Sequence, residues 1–183
     1  QQKEAFANGH GFEEIVKTQL RILKEKGITD INIVAQSLGA FTGAHMALAA
    51  KEFGINVKNA VLTETPGVLD ASVSEMFLKR FMPENALLGL YHATPIDPDL
   101  VSDVGVLRKG YRDARWLVRG LVSGKGLAYG KEVSKDSLEG ILSGALLNNP
   151  DMKLKLINGS TSMVAPNDRM IEVYDSLTKT HGS

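Results

Sequence analysis

From Phe12 onward, apolar residues recur at helical spacing: Phe12, Ile15, Val16, Leu20 and Leu23 form one stripe, with Glu13, Glu14, Lys17, Arg21 and Lys24 on other faces. The pattern predicts an amphipathic helix that Gly27 is placed to end. The period then changes. "INIVA", residues 31–35, is a β-branched run with one polar interruption, as expected for a strand buried on both faces of a parallel sheet. Leu38, Phe41, Ala44, His45 and Leu48 return to helical spacing in a second helix that closes near Gly54.

"NAVLTE", residues 59–64, is a second strand, stopped by the turn signal "TPG" at 65–67. "KLKLIN", residues 153–158, is a third, and "GSTSMVAPND" after it reads as a loop. Asn167 is placed to cap a last helix in which Met170, Ile171, Tyr174 and Leu177 share a face. This order predicts an α/β fold with a mostly parallel sheet and right-handed crossovers. Residues 68–150 are rich in helix formers broken by glycines and prolines, and are expected to be a helical cap inserted over the sheet edge.

Composition narrows this picture in a few places. A chain of 183 residues with 43% hydrophobic content is long enough for one domain with a real core, so 1–183 is read as a single unit. Lysines and arginines number 21 and aspartates and glutamates 21, so no global field attracts nucleic acid or an anionic membrane. The longest nearly apolar stretch, Leu38 to Ala50, is shorter than the roughly 20 residues of a spanning helix. With no cysteine there is no disulfide framework, thiolate metal site or cysteine nucleophile. The chain opens on Gln1 without a signal pattern, which suggests a processed product or part of a longer polypeptide, with the cytoplasm slightly favoured.

Candidate chemistry centres on Ser37. A nucleophile at a strand-to-helix turn needs a strained backbone, so residues two before and two after it must be small. Here they are Ala35 and Gly39. The helix beginning at Leu38 aims its unpaired N–H groups at the serine oxygen, making the Leu38 N–H the natural oxyanion donor. The bland reading is that Ser37 merely caps the helix.

"VAQSLGA" resembles the nucleophile elbow of the α/β-hydrolase family, whose usual pattern is G-x-S-x-G, with alanine at the first position a known variant among lipases. The resemblance covers roughly residues 12–178. It implies an acid and a histidine completing the site, but the family loop G-x-x-D-x-x-V-P is here "GSTSMVAP", with Ser162 at the aspartate position. Asp168 is the substitute a few residues downstream, with Glu64 or Asp70 as alternative acids after the second strand. His181 stands where the family histidine is sought, while His10, His45 and His92 lie elsewhere in the pattern. Only about one helix precedes "INIVA", so a homo-oligomer or flanking polypeptide is expected to complete the sheet.

Arg108, Arg112, Arg115 and Arg119 would share one helix face, a candidate surface for an anionic headgroup or acidic partner, or simply a solvated face. Residues 101–131 hold seven basic and two acidic side chains. No aromatic-interleaved basic platform, phosphate loop, dinucleotide fingerprint or metal-ligand cluster is present, so no nucleic acid, cofactor or metal is expected. The sequence therefore predicts an esterase or lipase-like serine hydrolase acting on a small ester or lipid-like substrate through Ser37, Asp168, His181 and the Leu38 N–H. The competing readings are a noncatalytic hydrolase-like scaffold that has lost acid and histidine, and a module binding a carboxylate or lipid without turnover.

Overall fold

The structure is a computed structural model that describes residues 10–68, 132–133, 135–159 and 166–182. Helix α1 (Gly11–Glu25) forms on the predicted stripe and buries Phe12, Val16 and Leu20. Glu13 and Glu14 in its first turn and Lys24 in its last suit the helix dipole. His10 offers no side-chain cap; instead Glu132, 120 residues downstream, accepts the Phe12 N–H at 2.8 Å. Gly27, at φ 71°, turns the chain beyond the helix in a conformation that glycine adopts without steric cost.

Strands β1 (Asp30–Gln36), β2 (Asn56–Thr63) and β3 (Lys153–Ile157) make a parallel sheet in that order. Register sets Ile33, Ala60 and Leu154 in one row and Ala35, Leu62 and Leu156 in another. Helix α2 (Leu38–Ala49) lies against these rows. Gly43 is what lets it come so close: a Cβ there would stand 3.0 Å from Ile33 Cγ2 and 3.3 Å from both Ala35 Cβ and Leu62 Cδ2.

The expectation that β1 is buried on both faces is not met. Ile33 is buried, but its neighbour Val34 is 79% exposed, and Lys153 and Lys155 are exposed on β3. The reason is one-sided cover: α2 packs on the Ile33 and Leu62 face, and no described element packs on the other.

Helix α3 (Leu138–Asn148), expected within the insertion, belongs to the main core instead. Its Leu138, Ile141, Leu142 and Ala145 are buried in the same cluster as Phe41 and Ala44, because α3 packs along α2. The rest of the expected insertion, residues 69–131, lies outside the described residues. Asn149 ties the ends of these elements together: its Nδ2 donates to Ala47 O (2.9 Å) and Ala145 O (3.0 Å), and its Oδ1 accepts from Val57 N (3.3 Å). A buried amide is stable there because its hydrogen-bonding groups are used.

Helix α4 (Asn167–His181) is entered through Pro166, not capped by Asn167, which is already helical. Its buried face is Met170, Val173 and Leu177; Ile171 and Tyr174, expected inward, are 52% and 55% exposed. The spacing of three then four residues explains the choice, since it keeps the first set on a single stripe against α3. No described helix is long and apolar enough to cross a membrane.

Candidate functional site

Ser37 follows the last residue of β1 and precedes the first of α2, with φ 54° and ψ −131°. For a residue with a Cβ, this left-handed φ costs of order 1–3 kcal/mol. Three backbone hydrogen bonds hold it there: its N–H donates to Thr63 O at 2.8 Å, and its carbonyl accepts from Ala40 N (2.9 Å) and Phe41 N (3.3 Å). The hydroxyl does not cap the helix. The bland reading of Ser37 as an N-cap is therefore overturned, because the left-handed backbone directs its side chain away from the first-turn N–H groups.

Ser37, Leu38 and Gly39 are all exposed. As first-turn residues, Leu38 and Gly39 have N–H groups with no intrahelical acceptor. The crowding expected at Gly39 is not found: a Cβ there would meet nothing within 4 Å. The close approach falls one turn later, at Gly43.

A second strained residue stands beside the first. Glu64, immediately after β2, has φ 51°, and its N–H donates to Ile157 O at 3.0 Å. Its carboxylate accepts the Gly159 N–H at 2.5 Å, which fixes it between the ends of β2 and β3. Since Gln36 pairs with Thr63, Ser37 and Glu64 leave neighbouring strands at the same level. Thr65 follows, fully buried, with Oγ1 unpartnered among the described residues.

Asp168 and His181 are not brought together. They lie thirteen residues apart on α4, about 20 Å along its axis, so neither can orient the other. His181 Nε2 is instead 2.9 Å from Ser143 Oγ, and Ser176 Oγ donates to Glu139. These contacts set α3 and α4 side by side in the same direction, and they hold His181 at the end of α4 remote from Asp168. Asp168 remains exposed in the first turn, where its charge suits the helix dipole.

The other described histidines are also engaged elsewhere. His10 Nδ1 lies 3.3 Å from Glu13 Oε2. His45 is buried against the rings of Phe12 and Phe41, with centroids 6.1 and 4.9 Å away, and its Nε2 is 3.9 Å from Asp136 Oδ2. Burial pushes its pKa below the usual imidazole value, and the nearby Asp136 only partly opposes this. A cavity of about 500 Å³ beside His45, lined also by Val16, Leu48, Asp136 and Gly140, includes neither Ser37 nor Glu64. Asp70, His92, Ser162 and the four arginines Arg108, Arg112, Arg115 and Arg119 lie outside the described residues.

No protein-family model, curated protein or solved structure matches this chain. The Ser37 turn therefore has to be read on its own chemistry. Sequence reasoning missed two participants, the Glu64 to Gly159 clasp and Gly43, although "TE" closing a strand and glycine four residues beyond Gly39 were both visible.

Proposed function

We propose that this chain is a serine hydrolase of carboxylic esters, resembling the α/β-hydrolases, with Ser37 as nucleophile on a strand-to-helix elbow. The observation that carries the reading is the left-handed Ser37 backbone with its hydroxyl unused as a cap. Glycine would occupy this position without steric cost and alanine would serve as well for packing, so a strained, exposed serine that makes no cap is best accounted for by its hydroxyl.

In the proposed reaction, the Ser37 oxygen bonds to the ester carbonyl carbon as its proton passes to a base. The Leu38 N–H donates to the oxyanion. Collapse expels the alcohol, which takes the proton back, and leaves an acyl-serine; water then attacks that carbonyl, releasing the acid and restoring Ser37. Glu64 is the carboxylate this reading assigns to the site in place of Asp168, since it stands at the strand level of Ser37. His10, His45 and His181 are engaged elsewhere, so of the chain's four histidines the reading calls on His92 as base.

A fluorophosphonate probe tests it. Covalent labelling of the intact chain that is lost in Ser37→Ala and reduced in His92→Ala is the expected result. A folded chain that takes no label ends the proposal.

One observation favours a second reading, a noncatalytic scaffold completed by another polypeptide. The outer edge of β1 pairs with no described strand, and the Val34 face is open. Light scattering coupled to gel filtration would then show a stable assembly, with no ester cleavage by it.

A further inference from the structure

From the geometry around Gly39 we infer that this residue governs the size of the group that can reach Ser37, so that the site takes esters bulky at the carbon next to the carbonyl. The inference rests on the nucleophile reading above and adds a substrate class to it.

Gly39 has neither of the usual structural reasons to be glycine. Its φ is not left-handed, whereas Gly27, Gly54, Gly67 and Gly182 have positive φ. Nothing stands within 4 Å of where its Cβ would be, whereas Cβ atoms at Gly43, Gly67 and Gly159 would come within 3.0, 2.8 and 2.7 Å of side-chain atoms. Alanine is the better helix residue, so at an exposed helical position without such constraints glycine sacrifices local stability.

The direction of the absent side chain shows what glycine leaves clear. In a helix every Cα–Cβ bond tilts toward the N-terminus, and a side chain covers the surface over the preceding turn. From position 39 that surface is Ser37 and the free Leu38 N–H. A methyl or isopropyl group at 39 would therefore stand where an acyl group must lie when its carbonyl carbon is at the Ser37 oxygen and its oxyanion at the Leu38 N–H. Leu38 itself, 38% exposed, supplies an apolar neighbour for such a group.

The experiment compares 4-nitrophenyl acetate with 4-nitrophenyl pivalate, whose acyl carbon carries three methyl groups, in wild type, Gly39→Ala and Gly39→Val, with Tm measured for each. Tm of Gly39→Ala should equal or exceed that of wild type, and the pivalate-to-acetate ratio of kcat/KM should fall by roughly tenfold or more in Gly39→Val, the discrimination available to small steric differences. A lower Tm for Gly39→Ala would mean that the position is packed and would overturn the inference. An unchanged ratio would overturn it while leaving Ser37 as nucleophile, provided Ser37→Ala abolishes cleavage of both esters. If wild type cleaves neither ester, the nucleophile reading and this inference fall together.

Discussion

The Glu64 carboxylate receives the Gly159 N–H at 2.5 Å, which joins the end of β2 to the end of β3 through a residue whose own φ is 51°. Two effects of opposite sign meet at this position. Glu64→Ala keeps the backbone strain and leaves the Gly159 N–H without its acceptor, and should cost about 1–3 kcal/mol. Glu64→Gly loses the same acceptor but relieves strain of order 1–2 kcal/mol, so urea denaturation should find it the more stable of the two.

At Ser37 stability and chemistry should separate. A serine that capped the helix would cost about 0.5–2 kcal/mol on replacement by alanine. Because the hydroxyl makes no cap, Ser37→Ala should be close to neutral and Ser37→Gly should be stabilising by about 1 kcal/mol. Both should lose fluorophosphonate labelling. A clear loss of stability in Ser37→Ala would restore the capping role.

His181→Ala tests the displaced histidine. It removes the partner of Ser143 at the end of α4, so Tm should fall modestly, consistent with about 1 kcal/mol for a half-buried hydrogen bond. Labelling at Ser37 should persist at the wild-type rate. Loss of labelling without loss of Tm would return His181 to the reaction.

Two buried groups make stability depend on pH. His45 is held below its usual pKa by burial, so the unfolded chain binds the extra proton first as pH falls through about 6.5, and stability declines from there toward the lower folded value. Glu132 is pushed above the ordinary carboxylate range by burial, against the opposing hydrogen bonds to the Phe12 and Gly11 backbone. Its folded form therefore keeps a proton that the unfolded chain has released, and stability declines as pH rises from about 4.5 through the raised value. Glu132→Gln retains an acceptor for Phe12 N–H and cannot ionise, so thermal melts from pH 4 to 8 should lose the acid-side component and keep the one from His45.

Gly43→Ala should lower stability by about 1–3 kcal/mol, since the added methyl would press on Ile33 and Ala35 where α2 approaches the sheet. Chemical denaturation of this variant measures how tightly that contact is packed.

The periodic elements were legible in the sequence because their signals are local. The stripe of Phe12, Val16 and Leu20 and the run "INIVA" became α1 and β1 with boundaries shifted by only one or two residues. What failed depended on relations between elements. The one-sided cover of Val34 and the incorporation of α3 into the core follow from where helices pack, which no single segment states. At the site, Ser37 stood out because its flanking residues are small, but the reason given for Gly39 was wrong: close packing falls on Gly43. The separation of Asp168 from His181 could have been anticipated, since a helix predicted from Asn167 to Leu177 already put most of its length between them.

The sheet's asymmetry has a consequence for how the fold breathes. β2 is hydrogen-bonded on both sides and anchored by Asn149, whereas β1 is held by described strands along one side only. Amide hydrogen exchange should therefore be slowest in β2 and markedly faster along the outer side of β1. Ser37 continues directly from that looser strand, and its N–H is moored to the firmer one at Thr63, so the candidate site straddles the seam between the part of the fold that opens first and the part that opens last.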